Sequence, residues 1–103
     1  MARVVSLTQT KRDPNRFVLE LDTGEKLTVT VAHIADYSLF TGAQLDEETL
    51  ISLRGDTERA RLRARALRIL GSRGMSRAEM IRRLTDKGED ALAAEETADW
   101  LES

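Results

Sequence analysis

The residues with the strongest chemical character in this chain are arginines. Between residues 59 and 83 nine of them (59, 61, 63, 65, 68, 73, 77, 82 and 83) stand against one acid, Glu79, in a chain of net charge −2. Guanidinium groups have pKa values too high for proton transfer and present fixed forks of N–H donors, so such a block is suited to holding anions. A charge concentration of this kind marks a docking surface for phosphate or carboxylate. The competing interpretation is a solvated helix face.

Other reactive side chains are scattered. His33 is the single histidine and there is no cysteine, which removes thiolate metal sites, His clusters and disulfides. His33 is therefore read as structural or on the surface. Ser76 has no neighbouring His or Lys arranged to make it a nucleophile, and its surroundings suit helix capping. Asp46, Glu47 and Glu48 fall at a helix start, where they complement the dipole rather than a metal. No GxGxxG, Walker A or zinc spacing occurs. The expectation is a non-enzymatic protein with no catalytic residue, metal, cofactor or small-molecule substrate.

The arginines need a scaffold, and the sequence around them supplies two helices. On a wheel of 100° per residue, Ala60, Ala64, Ala66, Leu67 and Leu70 form an apolar face, with Leu62 and Ile69 at its margin. Arg61, Arg65 and Arg68 fall at i, i+4 and i+7 on one stripe, which Ser72 continues. That helix carries no acid among them, so their repulsion costs helix stability. Gly71 and Gly74 can take positive φ at a helix end, and Arg73 is placed to cap carbonyls there. Ser76 to Glu79 reads as a capping box opening a second helix with Met80, Ile81 and Leu84 inward. Lys87-Gly88 closes it. Arg82 and Arg83 can pair with Glu79, Asp86 or a third helix.

That third helix, residues 89–103, is acidic: seven acids against Lys87 lie between residues 86 and 102. Asp90 is its N-cap, and Leu92, Ala93, Thr97, Trp100 and Leu101 are available for packing. It completes a three-helix unit over residues 54–103 and can mask part of the basic surface.

Upstream, residues 1–53 form a separate unit. Period-2 alternation predicts strands over residues 3–10, 16–22 and 26–31, with turns at Asp13-Pro14-Asn15 and Asp22-Thr23-Gly24-Glu25. Phe17, Leu19 and Leu21 share one face, as do Leu27, Val29 and Val31. Short helical pieces follow between residues 32 and 53, broken at Gly42. One of them opens at Asp46 and ends at Arg54-Gly55-Asp56, before the basic helix begins. The fold class is α+β, a three-stranded antiparallel meander with short helices followed by a three-helix repeat.

Length bounds the rest. A chain of 103 residues buries roughly 60 to 70% of its unfolded surface, which leaves little room for a catalytic cavity. The start MARVVSLTQTKRD has no signal-peptide core, and no apolar run reaches membrane-span length, so a cytoplasmic protein is expected. Four aromatic residues, Phe17, Tyr37, Phe40 and Trp100, are too few for a stacking platform. The basic helices also lack Asn and Gln, which argues against base-specific readout.

Several segments resemble the RecX regulatory proteins, bacterial modulators of the RecA recombinase. They are LDTGEKLTVTV (21–31), YSLFTGAQLDEETLISL (37–53), ARALRILGSRGMSRAEMIRRLTDKG (64–88) and ADWLES (98–103), and the resemblance runs from the first-strand region to the end of the third helix. The S-x-x-E-M-x-x-x-L-x-x-K-G stretch from Ser76 to Gly88 is the most specific. The chain stops two residues after Leu101, without the glycine-aromatic-acid continuation or the second and third repeats of the family. A piece of a longer protein, the sheet region plus one repeat, is therefore expected. The resemblance implies a regulator that lies in the groove of the RecA–DNA filament, restrains it, and acts in recombination, DNA repair and the SOS response. The contact surface is then expected at Arg61, Arg65, Arg68, Arg77 and Arg83. Two alternatives stand beside it: a direct DNA-binding helix-turn-helix-like module for single- or double-stranded DNA, and a structural repeat with a solvated basic face.

Overall fold

A computed structural model of the chain describes residues 1–71 and 74–103. The expectations for Ser72 and Arg73 lie outside the described residues. The elements run β1 (Ala2–Gln9), β2 (Arg16–Leu21), β3 (Lys26–Thr30), α1 (Val31–Tyr37), β4 (Gln44–Leu45), α2 (Glu47–Leu70), α3 (Arg77–Asp86) and α4 (Ala91–Glu102). They form two compact units, residues 1–58 and 59–103.

The first unit is α+β, with one strand more than the alternation predicts. Its antiparallel sheet has the order β3-β2-β1-β4. β4 pairs with β1 through only two residue pairs, Ala2 with Leu45 and Arg3 with Gln44, too short a run to leave a period-2 signal. Both turns form where expected. Asp13 Oδ1 accepts from the Asn15 amide at 2.9 Å, and Gly24, at φ +92°, supplies the left-handed residue of the β2–β3 turn.

A bulge sets the inward face of β1. The register shifts between Val4, opposite Leu21, and Ser6, opposite Glu20. The extra residue puts Ala2, Val4 and Leu7 on the core side and leaves Val5 exposed. Leu19, Leu21 and Val29 are the buried centre, joined by Leu39, Ala43, Leu45, Leu50 and Leu53. Val31 does not belong to this face. It starts α1 and is half exposed, because Thr30 caps that helix: its Oγ1 accepts from the His33 amide, and His33 Nδ1 accepts from the Thr30 amide at 3.1 Å. His33 is thus a capping residue.

The break expected at residues 54–56 is absent. Asp46 caps α2, its Oδ1 accepting from the Thr49 amide at 2.7 Å, and the helix continues for 24 residues through Gly55. Gly55 is outside the set of positive-φ glycines. Glycine costs about 1 kcal/mol in a helix interior, and its neighbours offset that cost through long-range contacts. Leu50 and Leu53 enter the sheet core, Arg54 makes a two-pronged ion pair with Glu25 (2.8 and 2.6 Å), and Tyr37 donates its hydroxyl hydrogen to Asp56.

The second unit packs the end of α2 with α3 and α4 around Leu62, Ala66, Met80, Leu84, Ala94 and Ala98. The buried stripe on α2 is therefore centred on Leu62 and Ala66, one step round from the expected face, and Leu67 is 51% exposed. The direction from which α3 and α4 approach decides this, since both stripes are equally apolar. Gly71, at φ +54°, ends α2 with its amide donating to the Leu67 carbonyl.

The unbroken α2 leads to a direct test. An added Cβ at position 55 meets nothing within 4 Å, so Gly55→Ala should stabilise the protein by about 0.5–1 kcal/mol. Denaturant unfolding measures it, and destabilisation would mean that residue 55 is not helical.

Candidate anion-binding face

The basic face is built on the turn between α3 and α4 as much as on the helices that carry the arginines. Ser76 caps α3, its Oγ accepting from the Glu79 amide at 3.2 Å. The Glu79 carboxylate stands 3.6 Å from Arg83, one turn on. At the other end Gly88, at φ +95°, allows a Schellman closure. Its amide donates to the Thr85 carbonyl, and the Glu89 amide donates to the Leu84 carbonyl. Asp90 then caps α4 by accepting from the Ala93 amide. Glu89 is held between the two helix ends with little backbone freedom.

Its side chain receives two arginines of α2. Arg61 donates through Nη2 to Oε1 (2.8 Å) and through Nη1 to Oε2 (3.0 Å), while Arg65 Nη1 donates to Oε2 at 2.6 Å. The carboxylate is only 9% exposed, against 46% for Arg61 and 34% for Arg65. The hydrogen bonds from Arg61, joined by those from Arg65, hold the Glu89 carboxyl below the ordinary value of 4.5 against the desolvation of its site. Glu89 thus brings a carboxylate to Arg61 and Arg65 from outside their helix.

The five arginines singled out in the sequence are divided by the fold. Arg65, Arg68 and Arg83 are brought together, with Ile69 and Lys87, along one shallow groove between α2 and α3. Arg61 flanks Arg65 through Glu89. Arg77 is directed to α4, where its Nε donates to Asp99 at 2.8 Å in a solvent-exposed pair. Arg68 and Lys87 are exposed, and among the described residues neither side chain has an ion-pair partner.

Three contributors were not visible as site residues in the sequence. Lys87 read as a helix-end cation, Glu89 as the first acid of the third helix, and Arg63 as one more arginine of the block. Arg63 stacks over Trp100, its guanidinium carbon 4.6 Å from the ring centroid, which ties α2 to α4. The glycine after Lys87 was the available signal for Glu89, because a Schellman closure pins the residue that follows the glycine.

Among the described residues no group of His, Cys, Asp or Glu is arranged to hold a metal ion, and no helix is long and apolar enough to cross a membrane. This face presents the cations Arg65, Arg68, Arg83 and Lys87 along one shallow groove, a set of donors suited to anions.

This fold and face define a class: an α+β chain ending in a compact three-helix domain with a basic side. Residues 63–101 match the family model described as "RecX, first three-helix domain". A comparison with curated protein sequences finds no match. Among solved structures, the chain is similar to a crystal structure of regulatory protein RecX, with a TM-score of 0.72 and 18% sequence identity over 99% of this chain. The likeness shows a RecX-like fold for both units. The chain spans half the length of that structure.

The clamp at Glu89 generates a pH dependence. A carboxylate whose pKa is lower in the folded than in the unfolded state stabilises fully above its unfolded pKa and loses that contribution as pH falls through the folded one. The three-helix unit should therefore unfold at constant stability from pH 7 to about 5 and weaken below about 4.5. In Glu89→Gln this part of the acid dependence should vanish, together with about 1–2 kcal/mol of stability at pH 7. Urea unfolding monitored by Trp100 fluorescence measures both. An identical acid profile in the variant would show that Glu89 does not link the helices.

Proposed function

We propose that this chain is a RecX-type regulator that binds the RecA–DNA filament through the basic face of its three-helix domain and restrains the filament in recombination and DNA repair. The observation that carries this reading is the coincidence of two features in one domain. The segment matching the RecX first three-helix domain is the same segment that gathers Arg65, Arg68, Arg83 and Lys87 along one groove. A filament of recombinase on DNA offers phosphates and protein carboxylates along its length, and a row of cations is complementary to either. A cytoplasmic location follows from that partner.

On this reading the contact surface is centred on Arg68 and Lys87, with Arg65 and Arg83 beside them, while Arg77 is engaged by Asp99. A direct DNA-binding module is the competing reading, and its sign would be equal affinity for bare DNA and for filament.

Fluorescence anisotropy of labelled single-stranded DNA, bare or held in a RecA filament locked by a slowly hydrolysed nucleotide, separates the two. The chain should bind the filament at least about tenfold more tightly, and Arg68→Ala with Lys87→Ala should weaken this by about 1–3 kcal/mol while leaving the Glu89 clamp and the fold intact. Equal, salt-steep binding to bare DNA would replace the filament reading with the DNA module. Absence of binding to both would remove the assignment of this face.

A further inference from the structure

Of the cations that line the groove, one is already engaged by a short carboxylate contact. Arg65 Nη1 lies 2.6 Å from Glu89 Oε2, whereas Arg83 stands 3.6 Å from Glu79, and Arg68 and Lys87 have no ion pair among the described residues. Glu89 is also the least exposed partner in these ion pairs, mounted on a backbone closed by the Gly88 turn. Its backbone is fixed by that turn, and its carboxylate accepts from both Arg61 and Arg65. Any anion that enters the groove meets this fixed negative charge behind Arg65, and must either share the Arg65 guanidinium with it or displace it.

The lining indicates which anion fits. Protein–protein contacts draw their affinity from buried aromatic and apolar anchors. The groove offers a single apolar side chain, Ile69, among four cations. Phosphodiester oxygens require only charge and N–H donors, which is what the groove presents. With no Asn, Gln or aromatic residue in the lining, contact would be to the backbone and independent of sequence.

We infer that Glu89 acts as an internal competitor of nucleic-acid phosphate at the Arg65–Arg68–Arg83–Lys87 groove, occupying Arg65 in the free protein and thereby holding affinity for bare strands low. This rests on the reading that the basic face meets a recombinase–DNA filament, and specifies the phosphate backbone as the component met there. The competition gives the protein selectivity. A bare strand must overcome the Glu89 charge unaided, whereas a strand held in a filament comes with further contacts that can offset the loss of the Glu89–Arg65 pair.

Glu89→Gln keeps the size and one acceptor oxygen while removing the charge. Against a labelled mixed-sequence single strand at about 50 mM salt, the variant should bind about 3- to 10-fold more tightly than the parent. The slope of log K against log salt should steepen by roughly 0.7 to 0.9, as for one added phosphate contact. Combining it with Arg65→Ala should abolish the gain, and Arg12→Ala, in the β1–β2 turn, serves as a control for net charge. Where Glu89→Gln unfolds, Glu89→Asp keeps the charge but shortens its reach to Arg65 by one methylene, and should raise affinity in the same direction.

A folded variant with unchanged or weaker binding to bare strands overturns the competitor role and leaves Glu89 a structural staple; if the parent still prefers filament, the filament reading survives. Failure of parent and variants alike to bind either strand or filament overturns both. A gain on bare strands that narrows the preference for filament establishes the competition.

Discussion

Crowding of like charge along one helix is the constraint to which the three-helix unit is fitted. Arg61, Arg65 and Arg68 lie along one stripe of α2 with no acid among them, an arrangement that costs helix stability in isolation. The solution is tertiary: one carboxylate from the α3–α4 turn accepts from both Arg61 and Arg65. A largely buried carboxylate is expensive unless its oxygens are well partnered. Here each oxygen receives a guanidinium hydrogen bond, and the arginines remain open to water on their far side. The pair therefore draws the helices together while leaving cations at the surface.

Mounting and chemistry are coupled through this arrangement. The same Schellman turn that ends α3 at Gly88 fixes Glu89 and places Lys87 beside the groove, while Asp90 begins α4 in the next residue. Four roles thus fall on four consecutive residues, 87–90. Trp100 adds a second tie from α4 to α2 through Arg63, so arginines of one helix are positioned both by a carboxylate and by a ring. In the first unit the corresponding device is the bulge of β1, which rotates the strand so that Val4 and Leu7 both face the buried centre.

Helix capping, turns and strand existence were legible because each depends on residues within four positions of one another. Asp13-Pro14-Asn15, Gly24, Asp46, Ser76, Gly88 and Asp90 all act locally, and all act as their side chains or backbone freedom dictate. The continuity of α2 through Gly55 was not legible. Its support comes from Glu25 and Tyr37, which lie far away in sequence. The fourth strand escaped notice because two residues cannot display a period.

What the amino-acid sequence determined by itself is the kind of protein: two units, strands before helices, a core of aliphatic residues, and a block of arginines between residues 59 and 83. Those properties follow from residue type and near-neighbour spacing. Only the tertiary structure decided which arginines act together. Arg77 belongs with Asp99, while Arg65, Arg68 and Arg83 share a groove with Lys87, and Glu89 is the counter-charge of Arg65 as Glu79 is of Arg83. A helical wheel places side chains around one axis, but the partner each meets depends on the approach of another helix, and the packing of Leu62 and Ala66 against Met80, Leu84, Ala94 and Ala98 sets that approach.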